Sequence, residues 1–236
     1  IPVIVFDRPN PNGFYIDGPV LEKKYASFVG LHPVPVVYGM TIGEYARMVN
    51  GEGWLKNMVQ CDLAVIPLDH YSRQTRCTLQ VRPSPNLPNM ESIYLYPSLC
   101  FFEGTNISIG RGTDFPFQVY GHPDLSYGDF VFTPKSVPGA SVHPPQEGKA
   151  CRGEDLRNYF IDKPEMMGQL QMHWLIRAYQ GWRGKEPFFN AYFEKLAGSA
   201  RLREQIVQGK KENEIRASWK PGIEKFKKIR KKYLLY

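Results

Sequence analysis

Residues 1–6 read IPVIVF, residues 41–51 read TIGEYARMVNG, and residues 61–68 read CDLAVIPL. The outer two are short, continuous apolar runs with β-branched side chains, and they predict strands buried on both faces. The middle stretch opens on Thr41-Ile42-Gly43-Glu44, a capping box in which hydroxyl and carboxylate satisfy each other's backbone amides. Behind the cap, Ile42, Tyr45, Ala46 and Val49 fall on one helical face, and Gly51 stops the helix. Strand, helix, strand in this order predicts a right-handed parallel crossover, the building block of a doubly wound sheet. Two such strands do not make a domain, so their sheet neighbours are missing or come from elsewhere in the chain. Residues 34–37 add one short extended piece.

Outward from this unit the chain changes character. Pro, Gly, Asn, Ser and Thr punctuate residues 82–141, leaving room for short extended pieces at 99–102, 117–120 and 129–133. The last third reads as helical. Asp162-Lys163-Pro164-Glu165 starts a helix with Met167, Leu170, Trp174 and Ala178 as its buried stripe. Phe189, Tyr192, Phe193 and Leu196 make a second helix ended by Gly198. Ser199 caps a third, with Leu202 and Ile206 inward and Gly209 closing it. A basic amphipathic helix follows with Trp219, Ile223, Phe226 and Tyr233 at helical spacing, interrupted or started near Pro221.

With 14% aromatic and 22% charged residues in 236, the chain is folded rather than disordered. No run of about 18 apolar residues is present to span a membrane. It opens on Ile1 rather than Met, as a processed or trimmed chain does. The formal charge is +7, and residues 220–232 hold seven Lys or Arg against Glu224 alone. The remainder is close to neutral, so a distributed nucleic-acid footprint is absent. The basic tail reads as the solvated face of a helix, with a polyanion or membrane surface as the alternative.

Cys61, Cys77, Cys100 and Cys151 form no CxxC pair, so no zinc site is expected; Cys61 and Cys100 read as small buried hydrophobes. His32, His70, His122, His143 and His173 include no metal-spaced pair, and His173 reads as structural. The marks of serine hydrolases, nucleotide kinases and dehydrogenases are absent: there is no GxSxG, P-loop or GxGxxG. No cofactor is expected.

The polar chemistry concentrates in loops. Glu103-Gly104-Thr105-Asn106 and Gly110-Arg111-Gly112-Thr113-Asp114 put carboxylates, an amide, hydroxyls and a guanidinium within about a dozen residues. Their glycines allow close backbone approach to a ligand. Arg8 and Asn10 follow the first strand, where open parallel sheets bind ligands. Arg82, Ser84 and Asn86 sit in a proline-stiffened loop. The first cluster reads equally as a self-bonded turn system, and the alternative for the other two loops is that their prolines only fix connections.

The same loops carry a family resemblance. FDRPNPNG, VRPSPNLPNMESIYLYPSLCFFEGTNISIGRGTDFPFQVYGHP, KLAGSARLREQI and the closing KKYLLY resemble a bacterial family. It was first catalogued as domain of unknown function 1343 and is now the exo-β-N-acetylmuramidases of glycoside hydrolase family 171. The resemblance implies an α/β fold: the end of a Rossmann-like parallel-sheet domain over 1–80, then a smaller α+β domain with C-terminal helices over 81–236. It implies a glycosidase that releases terminal N-acetylmuramic acid from peptidoglycan fragments, in a periplasmic or secreted setting. Muramic acid saccharides are then the expected ligands; nothing in the sequence fixes an oligomeric state.

Family members carry, before the DRPNP strand, a Pro-Glu-His-Gly motif with the suspected catalytic acid, and this sequence has no such motif. It also has Tyr38-Gly39-Met40-Thr41 where members commonly have His-Gly-Met-Thr. The resemblance then implies that the catalytic Glu lies in an N-terminal segment missing from this sequence, without which the chain is expected to be inactive. Within the sequence Glu103 is the candidate catalytic group, or equally a group that only positions sugar hydroxyls, with Asp114 a second carboxylate. Arg8, Arg82 or Arg111 pairs the lactyl carboxylate; Thr105, Asn106 and Thr113 hold acetamide or hydroxyls; and Asn10, Ser84, Asn86 and Asp114 complete the binding set. Arg8, Arg82, Asn86, Glu103, Asn106, Arg111 and Thr113 are expected to converge on one cleft. A non-catalytic peptidoglycan-binding module using the same loops is the rival reading.

Overall fold

The computed structural model describes residues 1–236. Strand β1 (Val3–Phe6) pairs in parallel with β4 (Leu63–Ile66), Val3 opposite Leu63 and Phe6 opposite Ile66. Helix α1 (Ile42–Gly51) lies between them in sequence and packs on both strands. The predicted capping box is present: Thr41 Oγ1 accepts from Glu44 N at 3.3 Å, and Glu44 Oε2 accepts from Thr41 N at 3.0 Å.

Two expectations for this unit are corrected. The strands are not buried on both faces: Ile4 is 62% exposed, Phe6 72% and Ile66 47%. Only α1 covers the pair, so the face carrying Val5 and Val65 is sheltered and the opposite one is open. The inward face of α1 does not include Ile42, which is half exposed; it carries Gly43, Glu44, Met48 and Val49. The reason is the closeness of the helix start to the sheet: a Cβ on Gly43 would stand 2.6 Å from Val65 Cγ1.

A second, antiparallel ribbon pairs β2 (Asp17–Val20) with β3 (Pro35–Val37). A third sheet is antiparallel with order β5 (Val119–His122), β7 (Cys151–Asp155), β6 (Phe130–Phe132). The expected strand at 99–102 is instead helical: α2 spans Met90–Leu99 and tightens into a 3₁₀ turn over Cys100–Gly104. Asn89 caps α2 by accepting from Ser92 N at 3.0 Å.

The expected helix start at Asp162 is also displaced. Residues Tyr159–Asp162 form the single turn α3, Pro164–Met166 is a 3₁₀ turn, and Gly168 has a φ of +102°. The long helix α4 begins only at Met172 and runs to Gly181. Helices α5 (Phe193–Ala197) and α6 (Arg201–Val207) follow, then α7 (Glu212–Arg230), which runs unbroken through Pro221. Pro221 is exposed, which leaves the carbonyl its ring deprives of a partner open to water.

The main core gathers Leu95, Phe101, Phe102, Tyr120, Trp174 and Phe193 from residues 95 onward. Ile215 and Trp219 join it from α7, while Phe226 packs with Met40 and Met48 beside α1. Helix α7 therefore binds the two halves together, with Lys225, Lys228 and Lys232 outside. One ion pair reinforces this seam, and a second lies within the first third of the chain. Arg216 pairs with the buried Asp17 at 2.6 Å, and Arg73 pairs with the fully buried Glu44 at 2.5 Å.

Candidate active site

The 3₁₀ turn after α2 presents Glu103 to a cavity of about 330 Å³, a size suited to a small ligand. The opposite boundary comes from residues 29–38, and Tyr45 of α1 and Lys195 of α5 complete it. Its carbon surface is supplied by Leu21, Val34, Val36 and Leu196, among others. Its polar groups are Glu103, Lys195, His32 and the hydroxyls of Tyr38, Tyr45, Tyr96 and Tyr192.

The Glu103 turn is fixed by a close backbone approach. A Cβ on Gly104 would stand 2.5 Å from Phe193 Cα, and Asn190 N donates to Gly104 O at 2.9 Å. Helix α5 is thereby interlocked with the residue next to Glu103. Arg111 donates from Nε at 3.2 Å and from Nη2 at 2.7 Å, both to Glu103 Oε1. The second carboxylate oxygen receives no protein donor. The Arg111 guanidinium also lies 4.9 Å from the centre of the Phe117 ring, and Arg111 does not line the cavity.

On the other wall, His32 Nδ1 and Tyr45 OH lie 2.7 Å apart. The His32 ring stacks on Trp54, and Tyr38 contacts Tyr45 with ring centres 5.1 Å apart. Burial lowers the pKa of His32 and raises that of Tyr38, and it pushes the Tyr45 hydroxyl up to about 12. Burial, with Glu103's charge adding to it, pushes the Cys100 thiol up to about 12. These tyrosines are protonated donors at neutral pH, and Cys100 is an unreactive thiol.

The sequence-predicted residues do not gather in this one place. Glu103 lines the cavity and Arg111 stands behind it. Asn86, Thr113 and Asp114 share a smaller hollow of about 110 Å³ with Gly112 and Ala140. Asn86 Nδ2 donates to Ala140 O at 2.8 Å, and Ser84 Oγ accepts from Asn86 N at 3.2 Å. Thr105 Oγ1 donates to Phe102 O and Thr113 Oγ1 to Gly110 O. Asn106 Nδ2 donates to Pro187 O, and Asn10 Nδ2 to Met40 O. Arg8 and Arg82 are exposed and line neither hollow.

Sequence reasoning missed the tyrosine lining, His32 and Lys195. The signal available was the tyrosines of Pro-containing stretches such as 33–38 and 94–97. A wider, shallow hollow of about 790 Å³ by β6 and β7 holds Arg152, Glu154, Asp155 and Arg177. There Glu154 pairs with Arg177 and Asp155 with Arg157.

The fold and cavity together define a mixed α/β protein with a polar and aromatic pocket of about 330 Å³. The N-terminal model of the exo-beta-N-acetylmuramidase NamZ family matches residues 1–91, and its C-terminal model matches residues 94–236. The chain belongs to this family. It is 38% identical to the peptidoglycan beta-N-acetylmuramidase NamZ of Bacillus subtilis (strain 168), aligning over all of itself and 60% of that protein. Two crystal structures of DUF1343 family proteins from Bacteroides fragilis share its fold. One is 51% identical with a TM-score of 0.94 over 99% of this chain and 65% of the other. The second is 26% identical with a TM-score of 0.71 over 99% and 66%. The chain thus spans about three fifths of the length of its curated relative.

Proposed function

We propose that the protein takes part in the exo-acting hydrolysis that releases terminal β-linked N-acetylmuramic acid from peptidoglycan fragments, and that the tyrosine-lined cavity holds the terminal sugar. The observation that carries this reading is Glu103 within a NamZ-family chain. It is held by Arg111 through one oxygen while the other is left to a cavity of monosaccharide dimensions. Sugar rings offer apolar C–H faces and many hydroxyls, and the cavity answers with aromatic rings, aliphatic carbon and phenolic donors.

Glycosidases of the common type act with two carboxyl groups about the scissile bond. The cavity supplies one, Glu103. Already engaged with a guanidinium, it suits accepting from sugar hydroxyls and stabilising positive charge. Asp114, the second carboxylate considered, lines the smaller hollow instead. A periplasmic or secreted location accords with a peptidoglycan substrate, and no helix is long and apolar enough to cross a membrane.

The test is to incubate the protein with muropeptides bearing a non-reducing terminal N-acetylmuramic acid and follow free sugar by mass spectrometry. Release by the wild-type chain, lowered about 10–100-fold in Glu103→Gln, is the expected result. Tight binding of the fragments without release would instead make this chain a binding module. Neither binding nor release would end the proposal.

A further inference from the structure

Beyond Glu103, one charged side chain lines the cavity, and it is Lys195. Resting on the proposed function, we infer that Lys195 is the specificity-determining residue that reads the lactyl carboxylate of the muramic sugar. The carboxylate distinguishes this sugar from N-acetylglucosamine, so a site selective for it needs a cation directed at the ligand.

Of the guanidiniums that the sequence offers for this task, Arg111 is already bound to Glu103 Oε1 and stands outside the lining, while Arg8 and Arg82 line no part of the cavity. Lys195 has no carboxylate within 4.0 Å. Its neighbour Glu194 is taken by Arg203, at 2.5 Å, and so does not neutralise it. The cavity therefore holds one cation that protein acids do not satisfy.

Lys195 is also well placed. It stands on α5 two residues after Phe193, the residue interlocked with Gly104, so the lysine and Glu103 stand on two segments whose backbones are in close contact. The helix ends immediately beyond it at Gly198, in the left-handed region with a φ of +69°, against Leu21 of the facing wall. Glu103 and Lys195 thus offer an acceptor and a cation from a common frame, one for ring hydroxyls and one for the acid. The ammonium is on an exposed, flexible stem, so it can follow the lactyl group without core rearrangement.

The experiment is calorimetric or NMR titration of the full chain with N-acetylmuramic acid and with N-acetylglucosamine, for the wild type, Lys195→Met and Lys195→Arg, with thermal melts alongside. The wild type is expected to favour the acid sugar. Lys195→Met is expected to weaken it about tenfold or more, to change N-acetylglucosamine by less than about twofold, and to melt with the wild type. Lys195→Arg keeps most of the preference. If Lys195→Met weakens both sugars equally, or leaves the acid sugar unchanged, the inference fails while the proposed function stands. If the wild type binds both sugars equally well, it fails in the same way. If the wild type binds neither sugar, the proposed function fails and the inference with it.

Discussion

Arg111 and Glu103 show how a residue's role depends on its partners. The sequence alone makes Arg111 a natural ligand for a sugar acid, because a guanidinium matches a carboxylate bidentately. In the fold that match is made internally, to Glu103, with both side chains 26% exposed. Arg111→Ala should therefore weaken N-acetylmuramic acid and N-acetylglucosamine alike, by releasing Glu103 from its position, in contrast to the selective loss expected at Lys195. Paired titrations of the two sugars check this; a loss confined to the acid sugar would return the carboxylate to Arg111. The same reasoning explains Thr105, Asn106, Thr113, Asn86 and Asn10. Thr105 and Thr113 bond carbonyls of their own turns, while Asn106, Asn86 and Asn10 donate to backbone carbonyls far along the chain, roles that composition does not separate from ligand binding.

At the scale of elements, β1, α1 and β4 were legible because their pattern and their capping chemistry agree. Helix α2 was not: Pro97 lies inside it, and its apolar end, residues 99–102, is too short for periodicity to separate strand from helix. Also hidden was the closing segment of the chain. Leu235 N donates to Glu44 Oε1 at 2.7 Å, and Tyr236 OH donates to Asp7 Oδ2 at 3.0 Å. Asp7 also accepts from Thr41 Oγ1 at 2.6 Å and Gly43 N at 2.8 Å, so one buried carboxylate joins β1, α1 and the closing segment. No local pattern announces contacts across 191 and 229 residues. Tyr236→Phe should cost about 1 kcal/mol. Arg73→Ala, which strands the fully buried Glu44, should cost about 3–5 kcal/mol. Urea midpoints at unchanged m-value measure both; equal, small losses would mean that Glu44 is not stabilised by Arg73.

Across the whole molecule, burial lowers the pKa of His32, His122 and His173 below the ordinary 6.5. The unfolded chain then binds protons at a higher pH than the folded one. Stability is thus fully present above about pH 6.5 and declines as pH falls through 6.5 toward the lower folded values. The lowered carboxyls of Glu52, Asp155 and Glu214 add a further loss at more acidic pH, below the ordinary range of 3.8–4.5. A melting temperature that falls between pH 7 and pH 5.5 is the expected result, and a flat profile there would contradict the burial of these rings. The location of the cavity is a property at this scale too. Segments 29–38, 96–103 and 192–198 meet through a fold that places them side by side, which is why only Glu103 among the candidate residues was found beforehand.

On the proposed function, this cavity is where the muramic sugar sits. The most direct measurement is a crystal structure of the chain soaked with N-acetylmuramic acid. The expected result is the sugar between Tyr96, Tyr192 and the 29–38 wall, with a ring hydroxyl on the free oxygen of Glu103 and the lactyl carboxylate on Lys195. A sugar bound instead in the hollow of Asn86, Thr113 and Asp114, or beside Arg8 at the end of β1, would contradict it.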